Sequence, residues 1–153
     1  MTWQRGQREV EDLLAQGALE PVRGAAADGS TLLASGENLL MSASREVSAN
    51  PEAAYLLAYD AARKSCASLL AQQGLRTRSG GHHVTTEIVV RSQFGGPFDA
   101  FASLRRRRAE IEYPRYPGEM VTMDEAVQAL ERARAIHDAA VRLLPRLTVF
   151  TND

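Results

Sequence analysis

Apolar residues recur at helical spacing along most of this chain, and alternating strand-type patterns are almost absent. The clearest case lies between positions 51 and 73, where alternating steps of four and three residues connect Tyr55, Tyr59, Ala62, Cys66, Leu69 and Gln73. Such a stripe is typical of a helix packed lengthwise along another helix. The pattern therefore predicts an all-α fold.

Helix boundaries follow from capping and breaking signals. Asn50 with Pro51 starts one helix, Ser30 caps another, and Thr122 with Glu125 forms a capping box. The predicted helices cover about 8–16, 30–47, 51–73, 83–94, 97–113 and 123–144, with a polar turn at 76–81. The short connections predict an antiparallel bundle of four to five helices over 30–146. Residues 1–29 form an N-terminal arm with a short helix, and 147–153 form a C-terminal tail.

The composition excludes several classes of protein. The 153 residues are 44% hydrophobic and 24% charged, with a net charge of −1, as expected for one globular domain without a global basic field. A single cysteine, Cys66, excludes an internal disulfide framework and a cysteine-based zinc site. No membrane-length apolar run and no signal-peptide core are present, so we expect a cytoplasmic protein with no membrane partner.

Four consecutive arginines at 105–108 are the main local charge feature. On the helix that starts at Pro97, the inward steps are Pro97, Phe101, Leu104, Arg108 and Ile111. Arg108 therefore falls on the apolar stripe, where a guanidinium needs a carboxylate, a phosphate or a rim position.

Two interpretations of Arg108 are open. It forms an ion pair with Glu112 one turn later, at the edge of the bundle. Alternatively, it binds an anion in a cleft between helices, with Arg105 or Arg107 widening the positive patch. Arg106 points to solvent, and we predict that it pairs with Glu110.

The segment after the arginines combines positive charge with aromatic rings. Tyr113 ends the helix before Pro114, and Arg115 and Tyr116 follow. This composition suits single-stranded RNA or a nucleotide. For Tyr113 alone, an ordinary packing role at the helix end is the alternative.

The histidines favour no metal site. His82 and His83 are adjacent at a helix start, so their side chains diverge, and we expect neither a metal nor a cofactor. His83 either packs on the preceding loop or contacts RNA phosphate. His137 lies on the stripe of the last helix, either as a hydrogen-bonded core residue or close to the Arg108 cleft.

Three segments resemble the HEPN-domain family of small helical proteins. They are LRRRRAEIEYP (104–114), AYLLAYDAARKSCASLL (54–70) and SGGHHVTTEIVV (79–90), and the similarity covers about residues 30–145. Ribonuclease members carry an arginine, a polar residue and, a few residues later, a histidine. In this chain Arg108 takes the arginine position, Ala109 the polar position and Tyr113 the histidine position.

The resemblance implies a metal-independent ribonuclease, the toxin or effector of a bacterial toxin–antitoxin or phage-defence system. The RNA 2′-hydroxyl attacks its own phosphodiester while arginine stabilises the phosphorane. The resemblance also implies a homodimer with a composite site, and a cognate antitoxin or nucleotidyltransferase partner that modifies a tyrosine such as Tyr113 or Tyr116.

Two positions depart from the catalytic pattern. Tyr113, with an ordinary pKa of about 10, exchanges protons poorly near neutrality, although Glu112 beside it belongs to a variant of the motif. The methyl group of Ala109 cannot hydrogen-bond phosphate, so the chain is a natural inactive form or carries an introduced alanine. The alternatives are a catalytically degenerate module for nucleotide binding or partner docking, and a purely structural helical dimer.

Overall fold

Six α-helices and one two-stranded ribbon form the part of the chain that the computed structural model describes, residues 5–78 and 82–150. The predicted all-α class is confirmed, and the small ribbon is an addition to it. The elements are α1 (Gln7–Ala15), β1 (Leu19–Pro21), α2 (Ser30–Glu46), α3 (Pro51–Gln72), β2 (Leu75–Thr77), α4 (His82–Gln93), α5 (Phe101–Glu112) and α6 (Met123–Leu143). Short 3₁₀ turns occupy Gly24–Ala26, Gly96–Ala100 and Leu144–Arg146.

Helices α2, α3 and α6 form the centre of the bundle. All six residues of the predicted stripe are buried, five of them on α3 and Gln73 at its C-cap, which confirms that α3 is packed along its length. α2 runs antiparallel to α3 and α6, because its start lies beside Ser68 and Leu144 while Glu37, further along, contacts Arg134. Gly36 allows the close approach: a Cβ there would lie 2.9 Å from Oγ of Ser65.

Most of the predicted helix ends are confirmed. The Asn50 side chain accepts a hydrogen bond from the backbone N–H of Ala53, and the Thr122 hydroxyl accepts one from the N–H of Glu125, each at 3.1 Å. Ser30, predicted as a cap, is instead the first helical residue, and its N–H donates to the Asp28 carboxylate at 2.8 Å. The N-cap position is occupied by Gly29, so no side chain caps this helix start.

The orientation predicted for α4 is wrong in part. Val84 and Ile88, predicted to face inward, are 44% and 39% exposed, whereas Val89 is buried as predicted. The reason is Glu87, which is buried and forms ion pairs with Arg105 at 2.9 Å and with Arg91 at 3.3 Å. The ion pair with Arg105 orients a polar face of α4 towards α5.

The polar turn predicted at 76–81 is also corrected where the structure describes it. Residues 75–77 pair antiparallel with 19–21, with Glu20 opposite Arg76, and residues 79–81 lie outside the described residues. The Glu20 carboxylate contacts both Arg76 and Arg78. The ribbon therefore joins the leading segment to the end of α3.

The two chain ends pack against the bundle as far as they are described. Val10 and Leu13 of α1 belong to the hydrophobic core. Near the C-terminus, Leu147 is buried and the N–H of Phe150 donates to the carbonyl of Gln73 at 2.8 Å. None of the helices in residues 5–78 and 82–150 has the length and apolar composition that a bilayer span requires.

Candidate functional site

The helix that carries the arginines begins later than the sequence predicts. Residues Gly96–Ala100 form a 3₁₀ turn, and α5 starts at Phe101. Pro97 is exposed rather than inward, and the neighbouring Phe98 is buried in its place. The tighter 3₁₀ spacing changes which residue faces the core, but Leu104 further along α5 is buried as predicted.

Arg108 lies half-buried at the edge of the bundle. Its side chain is 31% exposed, and Nη2 lies 2.9 Å from Oε1 of Glu112 on the same helix. The guanidinium carbon Cζ lies 5.6 Å from the centroid of the Tyr59 ring on α3, within the range of a cation–π contact. The ion pair that was one of the two interpretations is therefore present, and it leaves part of the guanidinium accessible.

Tyr59 connects Arg108 to one of the two adjacent histidines. The Tyr59 hydroxyl hydrogen-bonds Nδ1 of His83, and the ring stacks on Phe101 with centroids 5.6 Å apart. Burial raises the pKa of Tyr59 far above its ordinary value, so the hydroxyl stays protonated beside His83. Arg108 and His83 thus contact the same buried tyrosine from α5 and α4. The side chain of His82 lies outside the described residues.

Arg105 and Arg107 are held by carboxylates from other helices. Nε of Arg105 donates to Glu87 on α4 at 2.9 Å. Arg107 hydrogen-bonds Glu125 on α6 through Nε, and through Nη2 at 3.3 Å. The hydrogen bond to Glu125 raises the pKa of Arg107, opposing the effect of burial. These two arginines therefore connect α5 to α4 and to α6.

The pairing predicted for Arg106 is wrong. Glu110 lies 3.2 Å from Nη1 of Arg107 instead, and Arg106 is exposed and without an ion pair in the described part of the chain. An i,i+3 partner replaces the expected i,i+4 partner because Arg107 is already fixed beside Glu110 by its bonds to α6.

The remaining motif residues lie on an exposed surface. Ala109 is exposed on α5, and Tyr113 and Tyr116 after it are 78% and 68% exposed. Arg115 between these tyrosines is exposed too. Among the described residues, the side chain of Tyr113 makes no hydrogen bond or ring contact, so it lies apart from the pair that Tyr59 forms with Arg108.

His137 is a core histidine, as one of its two interpretations states. Nδ1 lies 2.9 Å from the Ser65 hydroxyl on α3, and Nε2 lies 3.0 Å from the Glu37 carboxylate on α2. Burial lowers the pKa of His137, although Glu37 acts in the opposite direction. Its ring nitrogens thus serve the contact between α2, α3 and α6 rather than Arg108.

The described residues hold no group of three or more histidine, cysteine or acidic side chains arranged to bind a metal ion. Cys66 is fully buried, and burial raises the pKa of its thiol, which makes it an unreactive core residue. The side chains of the candidate site offer guanidinium, imidazole, phenol and carboxylate groups.

Two residues of this site were not singled out from the sequence. Tyr59 was assigned to the core stripe, and Glu87 was given no role. Their residue types are the signal that could have identified them, since a tyrosine hydroxyl and a carboxylate that are buried each require a polar partner. Their partners come from elements distant in sequence, so periodicity alone could not identify them.

Comparisons with protein-family models, with curated proteins and with solved structures found no match to this chain. The resemblance to HEPN-domain proteins therefore depends on the three sequence segments given above. The functional argument that follows depends on the geometry around Arg108.

Proposed function

We propose that this protein is an HEPN-like, RNA-directed protein in which Arg108 binds a phosphate of the RNA. One observation carries the proposal: of the four consecutive arginines, Arg108 alone combines partial burial and an aromatic support with a partner from its own helix only. Arg105 and Arg107 are engaged by carboxylates of other helices, and Arg106 faces solvent.

A phosphate can replace Glu112 at Arg108 without disturbing the packing between helices. Glu112 is 35% exposed and joined to Arg108 only within α5, so its carboxylate can rotate into water when an anion arrives. The guanidinium then donates two hydrogen bonds to the phosphate oxygens while it remains over the Tyr59 ring. This arrangement supports binding of one phosphodiester at the edge of the bundle.

In the ribonuclease version of the proposal, His83 carries out the proton transfer for which Tyr113 is poorly suited. The 2′-hydroxyl loses its proton and attacks the adjacent phosphorus, the bond to the 5′-oxygen breaks, and that oxygen gains a proton, which leaves a 2′,3′-cyclic phosphate. Arg108 stabilises the extra negative charge on the phosphorane. His83, held by Tyr59, is the group whose ordinary pKa is suited to proton transfer near neutrality.

The homodimer belongs to the same proposal. Val84 and Ile88 form an exposed apolar pair one turn apart on α4, the helix that begins next to His83. Burial of this pair against a second copy would bring two copies of the site close together and exclude water from them. The toxin or effector role, with an antitoxin or nucleotidyltransferase that restrains the dimer, is the part of the proposal that rests on the resemblance to HEPN-domain proteins.

The test is RNA cleavage by the Ala109→Asn variant in the presence of a chelator. Ala109 is exposed, so asparagine fits there and supplies the missing polar group beside Arg108. We expect cleavage by Ala109→Asn, its loss when Arg108→Gln is added, and no loss when Arg106→Gln is added as the matched control. If Ala109→Asn binds RNA but cleaves none, the ribonuclease version is wrong. If Arg108→Gln and Arg106→Gln weaken RNA binding equally, the phosphate site is wrong.

The second candidate function is a docking module without catalysis. It is favoured by the exposed segment after α5, where Tyr113 and Tyr116 are exposed to solvent, each directly before a proline, and the exposed Met120 follows. Exposed rings and methionine are typical of surfaces that bind partners. If replacing both tyrosines by serine abolishes binding of a nucleotidyltransferase partner while Arg108→Gln has no effect, this function is the correct one.

A further inference from the structure

A second basic cleft lies at the opposite end of α5 from Arg108. It encloses about 390 Å³ between residues 93–98 and the last turn of α6, and none of the described residues lining it is acidic. The helix rise places it on the order of 15 Å from Arg108. The cleft is thus separate from the site proposed above, and the argument for it does not depend on that site.

Two arginines line this cleft, and a third lies beside it. Arg142 at the end of α6 and Arg146 in the 3₁₀ turn that follows are the lining arginines. Arg5 packs at the other side against Gly95, where a Cβ would lie 2.7 Å from the Nη2 atom of Arg5. Gly95 has a φ of 59°, so the backbone itself favours glycine and leaves the space that this guanidinium fills.

The charge of these three arginines is not neutralised locally. In residues 5–78 and 82–150, no ion pair joins Arg5, Arg142 or Arg146 to a carboxylate. Two acidic residues adjoin the lining residues in sequence: Asp99 lies 3.5 Å from Arg91, and the exposed Asp138, one turn before Arg142, forms no ion pair with it in the described part of the chain. An anion entering the cleft would therefore meet guanidinium groups that have no competing partner.

The floor of the cleft is apolar and partly aromatic. Phe94 is partly exposed, and its ring is tilted at 47° against the buried Phe98 with centroids 5.6 Å apart. Ala139 and Leu143 of α6 complete the floor. A flat ring can stack on Phe94 while its charged group reaches the arginines, and the cleft has the volume of a small-ligand site.

We infer that this cleft binds a nucleoside phosphate, with the base on Phe94 and the phosphate between Arg142 and Arg146. Free nucleotides and nucleotides within an RNA strand share this chemistry. A strand that also occupies Arg108 would extend over the interval of about 15 Å between the two sites, which is the length of a few nucleotides.

The experiment titrates the full chain with AMP, with ribose 5-phosphate and with a labelled oligouridine, by calorimetry and fluorescence anisotropy. We expect saturable binding of AMP or of the oligonucleotide, and a loss of about tenfold or more when Arg142→Gln and Arg146→Gln are combined. Arg132→Gln, an exposed arginine of α6 outside the cleft, is the matched control and should leave affinity unchanged.

Stacking of the nucleotide base on the Phe94 ring is tested separately with the variant Phe94→Leu. This variant should weaken AMP binding more than ribose 5-phosphate binding, because only AMP stacks. Binding of AMP identifies a free nucleotide as a ligand. Binding of the oligonucleotide alone identifies RNA as the source, provided that the double variant weakens it while Arg108→Gln retains the part due to the cleft. The inference is overturned if neither probe binds, or if Arg132→Gln weakens binding as much as the double variant.

The two proposals fail separately. Arg108→Gln removes the proposed phosphodiester site and should leave AMP binding at the cleft unchanged. Conversely, the double variant of Arg142 and Arg146 keeps the ion pair between Arg108 and Glu112. If Arg108→Gln abolishes AMP binding, the nucleotide belongs to the Arg108 site and the cleft is not its binding site.

Discussion

The guanidinium carbon of Arg108 lies 5.6 Å from the centre of the Tyr59 ring, whose hydroxyl is hydrogen-bonded to His83. One buried side chain therefore fixes both an arginine from α5 and a histidine from α4. Three helices must be in place before these two groups come together. Removing the hydroxyl of Tyr59 should thus mainly affect His83, whereas removing the ring should also lower the stability of the fold.

Replacing Tyr59 by phenylalanine should affect His83 more than Arg108. The ring and its contacts with Phe101 and Arg108 remain, and the lost hydrogen bond lowers the free energy of unfolding by about 1 kcal/mol. Tyr59→Leu removes the ring as well and should lower it by about 3 kcal/mol. Urea unfolding measures both values, and equal losses in the two variants would show that the ring contacts contribute nothing.

The ion pair between Arg107 and Glu125 should contribute to stability, whereas Arg106 should not. Arg107 is one-quarter exposed and joins α5 to α6, so Arg107→Gln should lower the free energy of unfolding by about 1 kcal/mol after allowance for screening. Arg106→Gln should change it by less than about 0.5 kcal/mol. Thermal and urea unfolding of the two variants test the difference, and it should decrease at high salt. A larger loss for Arg106→Gln would contradict the assignment.

Gly36→Ala should destabilise the protein although alanine is the better helix former. The added Cβ would lie 2.9 Å from Oγ of Ser65 and 3.3 Å from Nδ1 of His137. The cost of overpacking, about 1–3 kcal/mol, exceeds the gain in helix propensity of about 1 kcal/mol. Asn38→Ala, at an exposed position of the same helix, is the control and should be neutral or slightly stabilising. Stabilisation by Gly36→Ala would show that α2 and α3 are further apart.

The stability of the fold should decrease when the pH falls below 6.5, through His137. Burial lowers the pKa of His137 in the folded protein below the value of 6.5 in the unfolded chain. Below pH 6.5 the unfolded chain therefore binds a proton that the folded protein resists, so stability present above pH 6.5 is lost towards the folded pKa. Measurements of urea unfolding at pH 7.5 and pH 5.5 should show the loss.

The His137→Gln variant isolates this effect, because the other histidines remain. Its stability should change less over the same interval of pH than that of the parent chain. The interval stays above pH 5 because the lowered pKa values of Glu20 and Asp28 add their own pH dependence in more acidic solution. An identical pH dependence in both proteins would show that Glu37 offsets the effect of burial.

Local periodicity and capping signals predicted most of the helices. The stripe from Tyr55 to Gln73 and the caps at Asn50 and Thr122 depend on neighbours within one or two turns, so the sequence contains all the information they need. The same reasoning places Arg108 on the apolar stripe and gives the ion pair with Glu112, which the structure contains, as one of its two interpretations.

What the sequence could not predict depends on contacts between distant residues. Val84 and Ile88 are exposed because Glu87 faces Arg105, eighteen positions away. The three-residue strands of the ribbon are too short for an alternating pattern, and only their pairing defines them. Tyr59 belongs to the candidate site only through its contacts with His83 on α4 and Arg108 on α5.

The pairing of residues 19–21 with 75–77 has a consequence for the order of folding. The partners Leu19 and Thr77 are about sixty positions apart, whereas α2 and α3 are joined by a connection of a few residues. Closing the longer loop has the larger entropic cost, so the α2–α3 hairpin should form early and the ribbon late. During synthesis, the first thirty residues would then remain accessible to chaperones and proteases until β2 has left the ribosome and can pair with β1.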